Sequence, residues 1–360
     1  MAEMASPNVS TERRGSPAAA VALVVLYGAL LVLPLVLAAL TGENEAEPFL
    51  KVLAISFALV AITILAMQVV LIGRIKAICE HYGLDMVLRF HKSVAVLSVV
   101  LLVAHPVLLS LSAGDWHLIT SLDLPWYIWF GKVALVLLII QAVTSLWQKR
   151  LLDFQVWRVI HNQAPIILGL VFVHSWIVGE DLESTPMRAL WIILLGVALV
   201  VYSLHKFVWP AMRKSDLWTV KSVHQETDDV WTLEFEPPEG RGPLDYEPGQ
   251  FHFLRLYRGG DRFDGEEHHF TISSSPLSGP THTSTIKNSG DFTATIGQTE
   301  PGDKAMIQGP YGRFSHVVNA PDDHYLFIAG GIGITPLMSM LRHMRDTDAD
   351  VDVTLIYGNS

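Results

Sequence analysis

Apolar residues are concentrated in six long stretches within the first part of the chain. These cover approximately residues 18–40, 50–73, 92–112, 127–147, 159–178 and 188–209. Each stretch is long enough to cross the roughly 30 Å hydrocarbon core of a bilayer as a helix. Beyond residue 216 apolar and polar residues alternate over short stretches such as 230–235, which is typical of half-buried β-strands. The pattern therefore predicts a membrane domain followed by a soluble part.

The charges between the apolar stretches alternate from one loop to the next. Loops 74–90 and 148–158 contain Lys and Arg, whereas loops 113–126 and 179–187 contain Asp or Glu. Because basic loops stay on the cytoplasmic side of a membrane, both termini are predicted to be cytoplasmic, including a polar tail at 1–17. The expected location is an integral, multi-pass position in the cell membrane.

Two of the apolar stretches carry two histidines each, one near one end of the stretch and the other most of a bilayer thickness away. His91 and His105 belong to the third stretch, and His161 and His174 belong to the fifth. The two helices run in the same direction, so His91 and His161 are expected near the cytoplasmic face, with the other pair roughly 20 Å further out. One such histidine would more often form a helix–helix hydrogen bond. Four at matched depth favour axial ligands for two haems stacked across the membrane.

The spacing within the fifth helix presents a geometric difficulty. The fourteen-residue step from His91 to His105 returns to nearly the same face of an ideal helix, but the thirteen-residue step from His161 to His174 does not. We therefore expect a bend in this helix, and Pro165 is the predicted place because proline lacks a backbone donor.

Composition and charge narrow the possible functions. Apolar residues make up 51% of the chain, and the formal net charge of −10 argues against nucleic acid as a partner. Cys79 is the single cysteine, which excludes an internal disulfide and a cysteine-rich metal cluster within this sequence.

The soluble part contains two different sequence patterns. About six short strands at 216–320 predict a small antiparallel barrel. Residues 321–360 instead read as a strand, a glycine-rich loop, a helix and a second strand, which is the start of a parallel α/β nucleotide-binding domain. Gly330, Gly331 and Gly333 in that loop, followed by Thr335, would let the backbone approach a pyrophosphate at the helix N-terminus.

These features together resemble a known family. The histidine pattern at 18–212 resembles the ferric-reductase-like membrane domain shared by NADPH oxidases and ferric reductases, which implies two bis-histidine haems held by the third and fifth helices. Pro-Gly-Gln-Phe at 248–251, His-His-Phe-Thr-Ile-Ser-Ser at 268–274 and Gly-Pro-Tyr-Gly at 309–312 resemble the flavin domain of the ferredoxin–NADP reductase superfamily. The NADPH oxidase branch has His-Pro-Phe-Thr in the middle motif, and here His269 replaces the proline.

The resemblance implies an FAD site on the barrel. Phe270 would stack on the isoalloxazine, Thr271 would bond its polar edge, and His268 and Lys287 would approach the phosphates. The complete set of predicted cofactor-binding residues is His268, Phe270, Thr271, Ser273, Lys287, Gly309, Tyr311, Gly312, Gly330, Gly331, Gly333 and Thr335.

The sequence therefore predicts an NAD(P)H-dependent transmembrane oxidoreductase with three parts: a six-helix di-haem domain, an FAD-binding β-barrel and the N-terminal portion of an NAD(P)-binding domain. Electrons would pass from cytoplasmic NAD(P)H through FAD and the haems to an outer acceptor, either oxygen, giving superoxide, or a ferric chelate. A non-enzymatic haem module reduced by an unknown protein partner is the alternative. Because the sequence stops at 360, inside the nucleotide domain, either a longer protein or an incomplete nucleotide site is expected.

Overall fold

The structure is a computed structural model that describes residues 16–41, 47–213, 216–259, 266–318 and 322–359. Most of the predicted cytoplasmic tail and of the acidic loop near residue 45 lies outside these ranges. The described chain divides into a helical unit, Pro17–Ile78 with Asp85–Lys206, and a second unit composed mainly of Phe207–Ser360.

Six helices in the described part of the chain are long and apolar enough to cross a membrane, as predicted. The first four are α1 (Pro17–Thr41), α2 (Phe49–Ile72), α3 (Leu84–Ala113) and α4 (Trp126–Leu146). The fifth span consists of two consecutive helices, α5 (Phe154–His161) and α6 (Ala164–Val178). The sixth is α7 (Thr185–Ser203), which continues through a π-helical turn at Leu204–Val208 and a short helix at Trp209–Arg213. Short helical segments at Lys76–Tyr82, His117–Thr120, Gln148–Leu151 and Glu180–Glu183 lie between them.

The helical unit is packed around α2 and exposes apolar side chains on its outside. Ala54, Ala61 and Ile64 of α2 are fully buried, and Trp191 of α7 is 1% exposed. In contrast, α1 buries Pro34 and leaves residues such as Val24 largely exposed. Apolar side chains on the outside of a bundle suit a lipid environment, where backbone groups are satisfied within each helix.

The predicted bend in the fifth spanning helix is present. Helix α5 ends at His161, Asn162 and Gln163 form a turn, and α6 begins at Ala164 with Pro165 in its first turn. Proline fits the first turn of a helix because its missing N–H would be unpaired there in any case. The break changes the rotation between His161 and His174, which an unbroken helix would hold on different faces.

The second unit begins with a six-stranded antiparallel sheet in the order β4-β3-β6-β1-β2-β5. The strands are β1 (Trp218–Thr227), β2 (Val230–Glu236), β3 (Phe251–Tyr257), β4 (His268–Thr271), β5 (His282–Lys287) and β6 (Lys304–Tyr311), with short helical segments at Asp291–Ala294 and Ile296–Gln298. Ser273, just after β4, donates its N–H to the carbonyl of Thr283 in β5 at 2.8 Å. The two edge strands therefore meet, and the sheet curls around a core that includes Trp218, Leu233 and Leu254.

The chain then forms the predicted strand–loop–helix–strand unit. Strand β7 (His324–Gly330) leads through a tight turn at Gly331–Ile334 into α8 (Thr335–Asp346), and β8 (Asp352–Gly358) pairs with β7 in parallel. Leu337, Met340 and Met344 of α8 pack on Phe327 of β7. These apolar positions recur at helical spacing, which is why this segment forms a helix with one buried face.

Two buried histidines are in contact inside the barrel. His282 Nε2 lies 3.3 Å from His252 Nδ1, and Ser284 Oγ lies 3.0 Å from His252 Nε2. Burial lowers the pKa of His252 to about 3. Burial, together with the charge of His252, lowers the pKa of His282 well below its usual value. Both rings are therefore neutral in the folded barrel at neutral pH.

This pair is expected to make the barrel sensitive to acid. The unfolded chain takes up protons on these histidines near pH 6.5, whereas the folded barrel does not, so stability falls as the pH drops from 6.5 toward the folded pKa values. Each histidine contributes a slope of about 1.4 kcal/mol per pH unit. Hydrogen exchange of β1 and β2 in the full chain, corrected for intrinsic rates, measures this loss. His252→Gln should reduce the pH dependence, and a matched change at the exposed His224 should not.

Candidate functional site

His105 and His174 are called the outer histidines, and His91 and His161 the inner histidines, after the predicted orientation of the helices. The outer histidines each bond a backbone carbonyl through the same ring atom. His105 Nδ1 lies 2.8 Å from the carbonyl oxygen of Ala54 in α2, and His174 Nδ1 lies 2.8 Å from that of Tyr127 in α4. Because a carbonyl can only accept, both rings must carry their proton on Nδ1. The Nε2 lone pairs are then available, which is the tautomer of metal-bound histidines.

A glycine in α4 makes room for one of these rings. A Cβ on Gly131 would lie 2.8 Å from Cε1 and 2.9 Å from both ring nitrogens of His174. The missing side chain lets the imidazole lie against the α4 backbone and reach the Tyr127 carbonyl one turn away. Sequence reasoning missed Gly131, because a glycine in an apolar helix gives no signal of what it faces.

The inner histidines face each other across the bundle. The ring centroids of His91 and His161 are 6.2 Å apart with an interplanar angle of 78°. A metal about 2 Å from one nitrogen of each ring would separate the centroids by roughly 6 Å. The pair therefore fits coordination of one iron by two imidazoles. Trp157 stacks on His161 with centroids 4.9 Å apart, and holds the ring in place from the other side.

Three of the predicted flavin-binding residues, His268, Phe270 and Thr271, lie on β4, an edge strand of the barrel. By the register of β3 and β4, His268 and Phe270 share the core-side face with Leu254 and His252, whereas Thr271 lies on the opposite face. His268 stacks on Phe292 with centroids 4.2 Å apart, and its Nε2 lies 2.8 Å from Glu266 Oε2. A ligand that contacts both faces must lie along the open edge of β4.

Two other predicted residues already have protein partners. Ser273 is buried, and its hydroxyl lies 2.9 Å from Thr283 Oγ1 and 3.0 Å from Thr285 Oγ1, so its side chain ties the edge strands together. Lys287 Nζ is 3.3 Å from an oxygen of Asp229. Their roles toward a flavin remain predictions.

The Gly309–Gly312 turn packs tightly over β3. A Cβ on Gly309 would lie 3.1 Å from Cα of His252, and Gly312, with φ of +103°, would place one 3.1 Å from the Phe251 ring. Tyr311 OH accepts a hydrogen bond from Gln308 Nε2 at 2.8 Å. These glycines are therefore needed for close packing of the barrel, whatever the turn binds.

The glycine-rich loop presents open backbone at the start of α8. Gly331 has φ of +49°, and a Cβ on Gly331 or Gly333 would meet no described atom within 4 Å, while one on Gly330 would come 4.0 Å from the carbonyl oxygen of Gly358. The Thr335 hydroxyl donates to the Ile332 carbonyl at 3.0 Å. The first N–H groups of a helix have no partner within the helix, and where open space lies beside them they can bind a nucleotide phosphate.

Side chains of α8 connect this loop to the flavin barrel, and sequence reasoning did not find them. Ser339 Oγ donates to the Ser274 carbonyl at 2.6 Å and accepts from the Gly249 N–H at 3.3 Å. Arg342 donates to the Ser273 carbonyl. The nucleotide loop is thus held at the end of β4, where the flavin motif lies.

Two segments of the chain match known protein families. Residues 57–173 match the family described as ferric reductase like transmembrane component, and residues 327–360 match the oxidoreductase NAD-binding domain. The first range includes His91, His105 and His161 and ends one residue before His174. The second range includes the end of β7 together with α8 and β8.

Several curated proteins match part of the chain. The glycine betaine monooxygenase reductase subunit of Chromohalobacter salexigens is 37% identical over 142 residues, which is 38% of this chain and 36% of that protein. The propane 2-monooxygenase reductase component of Mycolicibacterium goodii is 32% identical over 147 residues, or 39% of each protein. The matches thus span less than two-fifths of these relatives' length.

Among solved structures, the flavohaem-like FAD/NAD-binding domain of nitric oxide dioxygenase from Vibrio cholerae is similar to this chain. The TM-score is 0.36 with 22% identity, covering 40% of this chain and 62% of that one. Phthalate dioxygenase reductase gives a TM-score of 0.36 with 20% identity, covering 41% of this chain and 45% of that one.

Proposed function

We propose that this chain, which joins a ferric reductase-like transmembrane component to a ferredoxin-reductase-type FAD and NAD part, moves single electrons across a membrane to an acceptor on its outer side. The observation that carries the proposal is the arrangement of the four histidines. The His91 and His161 rings lie 6.2 Å apart, and His105 and His174 each bond a backbone carbonyl through Nδ1, which leaves Nε2 available to a metal.

The proposal assigns a set of residues to each cofactor. His91 with His161, and His105 with His174, would each hold one haem b, and the carbonyls of Ala54 and Tyr127 keep the outer rings oriented. The edge of β4, with His268 and Phe270, would hold FAD. The loop Gly330–Gly333 at the start of α8 would hold the phosphates of NAD(P)H.

When bound, FAD would take a hydride from NAD(P)H and the haems would carry the electrons singly. Each NAD(P)H oxidised gives NAD(P)⁺, two electrons and one proton. Two acceptor molecules would gain one electron each, and the proton would be released to the solution on the inner side together with NAD(P)⁺. Outward movement of each electron is favoured by about 2.3 kcal/mol per 100 mV when the inside is negative. Cytoplasmic termini, inferred from the basic loops, put the reductase half on the inner side.

The acceptor proposed is oxygen, which would give superoxide, and a ferric chelate is the alternative. If two histidines held each iron, no coordination position would be left open for a substrate. The acceptor would then be reduced near the outer pair without binding to iron. This suits any one-electron acceptor that reaches the outer surface.

The test is a visible spectrum of the full chain purified in detergent and kept free of oxygen. Dithionite should give b-type haem bands, and NADH or NADPH with added FAD should give the same bands. Admitting air should then reoxidise the haems with formation of superoxide, detected by a dye whose reduction is blocked by superoxide dismutase.

Each contrary result removes a defined part of the proposal. Absence of any haem band would refute it entirely. Reduction by dithionite but not by either nucleotide would leave a haem module that a partner reduces. Reoxidation by ferric citrate but not by air would replace oxygen with a ferric chelate.

A further inference from the structure

The two histidine pairs differ in what faces their Nδ1 atoms. In the outer pair both Nδ1 atoms meet a backbone carbonyl at 2.8 Å. In the inner pair, His91 Nδ1 is buried and has no hydrogen-bond partner among the residues the structure describes. His161 Nδ1 instead faces two side chains of α4, Gln141 and Ser145. The inner site thus lacks the carbonyl acceptors that the outer site has.

Gln141 presents its amide nitrogen to the His161 ring. Its side chain is buried, and Nε2 lies 3.0 Å from the His161 carbonyl oxygen and 3.1 Å from His161 Nδ1. The opposite amide orientation would place Oε1 against the carbonyl, where two acceptors repel, so the observed orientation is the stable one. Gln141 therefore directs an N–H, and not an acceptor, toward Nδ1.

Ser145 is the acceptor nearest to the same ring atom, but it is a weak one. Its Oγ is 3.4 Å from His161 Nδ1, beyond the usual hydrogen-bond range, and it already accepts from Trp157 Nε1 at 3.1 Å. With a metal on Nε2, the His161 proton must be on Nδ1, where it would face an amide N–H and a distant hydroxyl.

A hydrogen bond from Nδ1–H to an acceptor makes an imidazole a stronger donor to its metal, which stabilises the oxidised ion. The outer ligands have this bond, and His161 does not. We infer that Gln141 is a positioning residue that keeps His161 a weak ligand and so makes the inner haem the easier of the two to reduce. The inference rests on the proposed function, because it requires both haems.

The consequence for electron flow is the order in which the two haem sites would take up electrons. The first electron would rest at the inner pair, and the outer site would hold its electron less firmly. An electron that is weakly held at the outer surface is the one that passes most readily to an acceptor there.

The experiment is a potentiometric titration of the dithionite-reduced full chain in detergent, with the inner haem identified by its loss in His91→Leu. Gln141→Glu should lower the inner potential, because a carboxyl group can accept the Nδ1 proton. Its neutral form can also donate to the His161 carbonyl, so no buried charge is needed. At a fixed ambient potential the ferrous-to-ferric ratio should fall about tenfold, equivalent to about 59 mV for one electron.

Two further variants keep the test decisive if Gln141→Glu folds poorly. Ser145→Ala removes the weak acceptor and should raise the inner potential. Gln68→Glu is the matched control, because it adds a carboxyl group in α2 at an equally buried glutamine. Gln68 and Gln141 are each 8% exposed, and the Gln68 side chain bonds none of the described residues. This substitution should leave the difference between the two haems unchanged.

The possible failures are distinguishable. A sample without haem bands overturns the proposed function and this inference together. Two results would overturn this inference alone, with a normal two-haem spectrum in each case. One is an inner haem whose reduction potential is lower than that of the outer haem. The other is an inner-haem potential that neither Gln141→Glu nor Ser145→Ala shifts. If Gln68→Glu shifted the inner-haem potential equally, a buried charge would explain the effect of Gln141→Glu, and this inference would also be overturned.

Discussion

Replacement of Gly131 with leucine is expected to remove the outer haem while the inner haem stays bound. A Cβ at this position alone would come within 2.8–2.9 Å of the His174 ring, closer than real contacts allow. The ring would have to turn away, breaking its 2.8 Å hydrogen bond to the Tyr127 carbonyl. Overpacking of this kind costs about 1–3 kcal/mol, and loss of a ligand's orienting bond typically weakens metal binding by about 10–100-fold.

The measurement is haem content per protein chain, with the ferric low-spin signals of the two sites resolved by electron paramagnetic resonance. The expected content falls from two haems toward one, with the inner signal unchanged. Gly169→Leu is the matched control, because Gly169 lies on the same helix as His174 and a Cβ there meets no described atom within 4 Å. Full haem content in Gly131→Leu would show that His174 is not held against α4.

Replacement of Gly249 with alanine is expected to slow electron transfer from the nucleotide to the haems. Gly249 has φ of +92°, and a Cβ there would lie 2.2 Å from the Phe314 carbonyl oxygen and 2.5 Å from Met340 Cε. The left-handed backbone costs about 1–3 kcal/mol for a residue with a side chain, and the clash about 1–3 kcal/mol more. The strain falls where the barrel meets α8, at the hydrogen bond from Gly249 N–H to Ser339.

The reduction of the haems by two donors separates this effect from a general loss of folding. In Gly249→Ala, NAD(P)H with FAD should reduce the haems many-fold more slowly, while dithionite reduces them fully. Gly302→Ala is the control, because Gly302 has a similar φ of +98° but no described atom within 4 Å of an added Cβ. Equal rates of NAD(P)H reduction in the two variants would mean that the junction with α8 does not position the nucleotide.

The sequence by itself was sufficient for the architecture. Spanning helices follow from the length of apolar stretches, because a bilayer imposes that length, and the strands of the barrel follow from alternation, because a sheet has two faces. The break between His161 and Ala164 was predictable for a local reason: a thirteen-residue step and a nearby proline do not fit one straight helix. The loop at Gly330–Gly333 was recognisable from its place between a strand and a helix.

The individual contacts at the candidate site were decided by the tertiary structure. The carbonyls of Ala54 and Tyr127, the empty side-chain position of Gly131 and the amide of Gln141 come from helices other than those that carry the histidines. No periodicity marks them, since a backbone carbonyl belongs to every residue and a glycine or glutamine gains its role from what packs against it. Hydropathy fixes the depth of a residue in a membrane, but the rotation and approach of neighbouring helices decide which atoms meet there.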